Sequence, residues 1–190
     1  MESTIYIALG AIIAACITGA ISFVNMKIAK DQKTSEFRQN WIDRLREDLA
    51  EFTSHVEFIS SRFEFMKKTN PKVLNDPVES EKFVVSLSEN FHGVAKMYHQ
   101  IQLRLNPIEH KELIENLHKI YRVFEKSKIH DFKLVTQLID TVISCSQTVL
   151  KKEWEMVKSG ELGYRITKYA ALLIFVIIFL FAFLIFWRGN

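Results

Sequence analysis

Two Glu-x-x-His pairs, Glu89–His92 and Glu115–His118, carry the residue types of a carboxylate-bridged di-iron site. In di-iron helical bundles such pairs project inward from neighbouring helices and are completed by two further glutamates. The facing of these pairs argues against that chemistry. At about 100° per residue, and with Phe91 as the core direction, His92 falls near ~100° and Glu89 near ~160° around the helix. Glu115 and His118 take the same two directions relative to Leu117. Their carboxylates point away from a core, which predicts solvated helix faces. His55, His99, His110 and His130 show no HExxH spacing. No Gly-rich phosphate loop, nucleophile elbow or Ser/His/Asp set is recognisable. The chain reads as a non-enzyme, with no metal and no cofactor expected.

Basic residues are the second source of chemistry. Arg38, Arg44 and Arg46 flank Trp41, and Lys67, Lys68 and Lys72 gather at a predicted helix end. Cationic side chains beside aromatics can hold a phosphate backbone or a nucleotide, so these six are the candidate ligand-binding residues. Lys126, Lys128 and Lys133 form a looser group. Glu36, Asp43, Glu47 and Asp48 lie on the same helix as the arginines, and an ordinary solvated face is the competing explanation. A net charge of +3 and a pI of about 8.8 are too mild to predict duplex nucleic acid as a partner.

A third pattern is a stripe of small and polar residues. Thr4, Ala8, Ala11, Ala15, Thr18, Ser22 and Asn25 step at alternating intervals of four and three. By angle they fall within about 100° of one helix circumference, while Ile5, Ile12, Ile13, Ile17 and Ile21 face elsewhere. Close helix packing explains such a stripe. So does a pore, in which several copies turn this face inward. Ala8, Ala11 and Ala15 would then form a narrow apolar constriction, and Thr18, Ser22 and Asn25 a wetter mouth. The span contains no charged ring, so no ion selectivity is predicted.

The elements that must position these residues differ between the ends and the middle. From Ile5 to Val24 there is no charge, and Tyr169–Trp187 is apolar throughout with an aromatic at each end. Each run has about the length a helix needs to cross the ~30 Å hydrocarbon layer. A signal peptide would want a basic start, whereas this chain opens Met1-Glu2-Ser3-Thr4. Lys27, Lys30 and Lys33 follow the first run, and Arg165 and Lys168 precede the second. The positive-inside rule then places the middle in the cytosol and both termini outside. The three lysines are expected to meet anionic headgroups. The predicted organisation is an external terminus at 1–4, spans at 5–25 and 165–187, a cytosolic bundle at 26–164, and a second external terminus at 188–190. A periplasmic sensor is disfavoured because no output module follows the second run.

The middle is predicted to be all-α. Ile42, Leu45, Leu49, Phe52, Val56, Ile59, Phe63 and Met66 alternate steps of three and four, widened by Trp41, Phe58 and Phe65. No breaker separates Val24 from Phe37, so the first span is expected to continue into this helix. Thr69-Asn70-Pro71 stops it. Asp76-Pro77-Val78-Glu79 opens the next helix as N-cap, N1 proline and capping-box glutamate. Its seam is Val84, Leu87, Phe91, Val94, Tyr98, Ile101 and Leu105. Asn106-Pro107 opens a third helix with Leu113, Leu117, Ile120 and Phe124. A break near Ser127 precedes a fourth, with Val135, Leu138, Val142, Cys145 and Val149. Gly160 and Gly163 are expected to end it. Three Pro and six Gly disfavour a turn-rich β fold, and Cys16 and Cys145 offer no disulfide framework or metal knuckle. Four amphipathic helices with short connections predict an antiparallel bundle.

The segment Lys33–Ala50, KTSEFRQNWIDRLREDLA, resembles small bacterial membrane proteins. Together with the two-span layout it is similar to the membrane effectors of anti-phage defence systems, the Hailong channel effectors among them. The resemblance covers about a tenth of the chain and carries no functional residues across. It implies depolarisation of the infected cell and a nucleotide or DNA-oligomer regulator for the bundle. The functional expectation is therefore an oligomeric channel or pore of four or more copies in a lipid bilayer, gated by a helical sensor domain. The alternative is a membrane-tethered scaffold that recruits a cytosolic partner through Trp41, Phe58 and Phe65.

Overall fold

Nothing between Glu2 and Thr69 breaks a helix, and in the computed structural model these 68 residues form one helix, α1. The structure describes residues 2–125, 128–159, 166, 169–170, 172–174 and 176–177; the side chains of residues 2–6, 8, 9, 12, 13, 125 and 159 fall outside that description. Pro71 ends α1 by pushing Asn70 out of the helical region, to φ −146° and ψ 68°. The chain then makes a single helical turn, α2 (Pro71–Asn75), where the sequence predicts only a connection.

Asp76 caps α3 (Pro77–Ser86), its Oδ1 accepting from the backbone N–H groups of Val78 and Glu79 at 2.9 and 3.2 Å. The capping box expected from Glu79 does not close. The Asp76 N–H already donates to the Lys72 carbonyl at 3.0 Å, and Glu79 instead pairs with Lys82 at 2.7 Å. One helix was expected from here to Leu105, but two form, because α4 (Ser88–Arg104) begins beyond a break at Leu87. The Ser86 hydroxyl donates to the Phe83 carbonyl at 2.6 Å, occupying the acceptor a regular helix would offer Leu87. The Leu87 N–H turns to Val84 O at 3.0 Å. The break also shifts the seam, so that Phe83 is buried and Val84, expected inside, is exposed.

Asn106 caps a turn ahead of α5 (Lys111–Glu125), accepting from Ile108 and Glu109. Asp131 begins α6 (Phe132–Ser159) by accepting from the Leu134 N–H at 3.1 Å, a cap the sequence reading missed. Gly160 and Gly163 lie outside the described residues.

The described residues contain helices and no strand, and the chain divides into two compact units. One is Asn40–Trp154, shorter at each end than the predicted bundle. Its contacts fix an up-and-down order. Trp41 meets Arg104, His55 meets Asn90, and Phe63 meets Phe83, so α3 and α4 run against α1. Phe91 meets Phe124 and Tyr98 meets Tyr121, so α5 runs against α4. The core joins Leu45, Phe52, Val56 and Ile59 of α1 to Ile101, Leu113, Leu117, Ile120, Val135 and Val142, all buried. Each contributes roughly 1.5–3 kcal/mol relative to exposure.

The other unit comprises Met1–Gln39 and Glu155–Asn190. Among the described residues no helix is long and apolar enough to cross a membrane. Much of the predicted second span, and the side chains of Ile5, Tyr6, Ala8, Leu9, Ile12 and Ile13 in the first, lie outside the described residues.

Candidate functional site

The predicted site residues fall in three places. Ala11, Ala15, Thr18, Ser22 and Asn25 are exposed on α1, while the side chain of Ala8 is outside the described residues. The Thr18 hydroxyl donates to its own helix, at Ala14 O, 2.9 Å away. The basic candidates do not converge. Arg44, Arg46, Lys67, Lys68 and Lys72 are exposed; Arg46 is held by Asp43 at 2.9 Å and Lys68 by Glu64 at 3.0 Å. Along one helix, position 46 stands about 30 Å from position 67. Arg38 is half-buried, with Nη1 4.0 Å from the Met156 sulfur. Glu89, His92, Glu115 and His118 are all exposed, in agreement with their predicted facing.

Trp41 does not stand free on the surface. It is half-buried, its Nε1–H donates to the Arg104 carbonyl at 3.1 Å, and its ring stacks on His110 at 5.7 Å. Phe58 and Phe65 remain 45% and 52% exposed. The Asp48 carboxylate, buried in the same region, accepts from Gln100 Nε2 at 3.2 Å and from Arg104 Nε.

His110 is the hinge of this polar end. Its Nδ1 accepts the backbone N–H of Asn106 at 3.0 Å. The lone pair of the neutral ring is therefore spent on Nδ1, and Nε2 carries the hydrogen. That Nε2–H lies 3.8 Å from Glu153 Oε1, beyond hydrogen-bond range. Glu109, His110 and Glu153 gather their ligand atoms within 4.8 Å of one another, the spacing of a small metal centre. The Asn106 bond argues against that use, because a metal needs the lone pair that His110 has already committed.

Beside this cluster a groove of about 560 Å³ runs between α5 and α6. From the α5 side it is lined by Glu109, His110, Glu112, Leu113 and Asn116; from α6 by Asp140, Thr141, Ser144, Cys145, Thr148, Val149 and Lys152. Thr141 and Thr148 donate their hydroxyl hydrogens to Gln137 O and Ser144 O, leaving acceptor lone pairs to the surroundings. Burial pushes the Cys145 thiol above its ordinary value and Glu112 adds to the effect, while a hydrogen bond from Asn116 opposes it. Asn116 is itself held, its Oδ1 accepting from Lys119 at 2.9 Å. Three carboxylates against one lysine make the groove unsuited to an anionic ligand.

Sequence reading missed the groove because Glu109, Glu112 and Asp140 are ordinary surface residues in one dimension. Only the antiparallel pairing of α5 and α6 sets them along one cleft. No protein-family model, curated protein or solved structure matches the chain.

Proposed function

We propose that the chain is an oligomeric membrane effector, an ion channel or pore gated by its helical sensor domain and acting in bacterial anti-phage defence by depolarising the inner membrane. The observation that carries this reading is apolar exposure in the unit formed by the two chain ends. Ile7, Phe23 and Met26 from one end, and Leu172, Leu173 and Ile177 from the other, are all more than half exposed. Apolar surface of this kind calls for lipid or for further copies of the chain. The uncharged run Ile5–Val24 lies within α1, which continues without a break to Thr69. In this reading Ile5–Asn25 and 165–187 span the bilayer, both termini lie outside, and Ala8, Ala11, Ala15, Thr18, Ser22 and Asn25 line the pore. The Thr18 hydroxyl is back-bonded to Ala14 O, so its own donor is not left unpaired in a low-dielectric setting.

The resemblance of Lys33–Ala50 to anti-phage effectors brings with it a nucleotide or DNA-oligomer regulator. The groove between α5 and α6 has the wrong charge for it, so such a regulator would use Arg38, Arg44 and Arg46, or Lys67, Lys68 and Lys72, as separate patches.

Native mass spectrometry of the full chain in a mild detergent, followed by bilayer recording, tests the proposal. Four or more copies, with conductance abolished by Ala15→Leu, is the expected result. A monomer or dimer reproduced in a second detergent leaves too few helices to enclose a pore and refutes it. The exposed Phe58 and Phe65 favour a second reading, a tethered scaffold. It predicts a partner lost on Phe58→Ala/Phe65→Ala with folding intact.

A further inference from the structure

Among the described side chains, the exposed phenylalanines of α1 all fall on one heptad position. Phe23, Phe37, Phe58 and Phe65 are 45–65% exposed and stand 14, 21 and 7 residues apart. With that position as a, Met26, Ser54 and Ser61 fall on d. The core of the bundle uses other positions of the same repeat. Leu45, Phe52 and Ile59 lie on b, Ile42, Leu49 and Val56 on f, and all six are buried. In this stretch α1 is two-faced, with b and f turned to its own bundle and a and d left on the opposite side. A straight helix drifts about 20° per heptad, so a seam kept from Phe23 to Phe65 calls for a left-handed supercoil about a second helix. Lys30, Arg44 and Glu51 occupy the intervening a positions, polar layers that fix register at a cost in stability.

We propose that this face pairs α1 with α1 of a second copy of the chain, parallel and in register. Parallel pairing sets a against a, so each phenylalanine meets its counterpart. Antiparallel pairing would lay them on the d row, whose members beyond Met26 are all polar. Charge agrees with the parallel arrangement. Glu57 on g and Arg62 on the following e are both exposed, and these are the positions that form ion pairs across a parallel coiled coil, twice by symmetry. An aromatic side chain buries about 200 Å², so Phe23, Met26, Phe37, Phe58 and Phe65 at about half exposure offer roughly 500 Å² per copy and about 1,000 Å² across the pair, enough for a specific interface. The small-residue stripe Thr4–Asn25 falls on c and g of the same repeat. The pairing face is thus distinct from the one proposed to line the pore, and an assembly of two or more pairs uses both.

The test is disulfide trapping of the full chain in lipid vesicles, in a Cys16→Ala/Cys145→Ala background. Ser54→Cys and Ser61→Cys keep every phenylalanine and should each give a linked dimer on mild oxidation. Lys67→Cys, exposed on position c, should not. Phe58→Ala/Phe65→Ala should abolish the Ser54→Cys dimer. Glu57→Arg and Arg62→Glu should each reduce it by about fivefold, the scale of an exposed ion pair turned to repulsion, and the double reversal should restore it. The proposal is overturned if neither serine position gives a dimer, if Lys67→Cys gives as much, or if the dimer is indifferent to the loss of Phe58 and Phe65; the face then belongs to lipid or to a different protein. Trapped dimers without conductance refute only the pore, and conductance without trapped dimers refutes only the pairing.

Discussion

Gly93 lies buried on α4 with the His55 imidazole of α1 against its Cα, and a Cβ built there would meet the ring at 2.4–2.8 Å. Alanine at 93 therefore has two opposed effects. It should gain about 1 kcal/mol of helix propensity, because glycine is the costlier residue inside a helix. It must also displace the ring, forfeiting the contact between His55 Nδ1 and Asn90 Nδ2 at 3.1 Å. Overpacking of this kind costs about 1–3 kcal/mol, including the lost hydrogen bond. With His55 present, Gly93→Ala should destabilise the protein by about 1 kcal/mol net. In a His55→Ala background the clash is gone, and the same substitution should stabilise by about 1 kcal/mol. The sign reverses, and the coupling is about 2 kcal/mol. Urea unfolding of the four proteins of this cycle, followed by far-ultraviolet circular dichroism at matched detergent, measures it. Equal effects of Gly93→Ala in both backgrounds would refute the close α1–α4 approach at this point.

Asp48→Ala should cost about 3 kcal/mol in the same assay, because it strips a buried carboxylate from Arg104 and Gln100 and leaves the guanidinium uncompensated; a loss below about 1 kcal/mol would mean the pair is solvated. Cys145 offers a chemical test, read in a Cys16→Ala background by iodoacetamide labelling at fixed pH. The thiolate is the reactive form and Glu112 disfavours it, so Glu112→Gln lowers the raised thiol value and speeds labelling. An unchanged or slower rate would remove Glu112 as a cause.

Periodicity in the sequence determined the helices and their inner faces. Ile42, Leu45, Leu49, Phe52, Val56 and Ile59 are all buried, as their three-and-four spacing requires. Asp76 and Pro77 marked the start of α3 because capping is local, a matter of two or three adjacent backbone groups; the helix expected to open at Asn106-Pro107 begins only at Lys111, because Asn106 caps a turn ahead of it. The outward facing of Glu89, His92, Glu115 and His118 followed from the same geometry of a single helix. What one helix cannot report is a competition between acceptors or a meeting of two helices. The break at Leu87 arose from a serine hydroxyl taking a carbonyl, and it exchanged Phe83 for Val84 in the core. The capping box failed because the α2 turn had already claimed the Asp76 N–H. His110 was one unremarkable histidine until folding put Trp41, Asn106 and Glu153 around it. The same holds for the groove, where residues from two antiparallel helices share a cleft only through the register of α5 on α6. Polar partnership across tens of residues depends on ångström-scale register, and that is set by how the whole core packs.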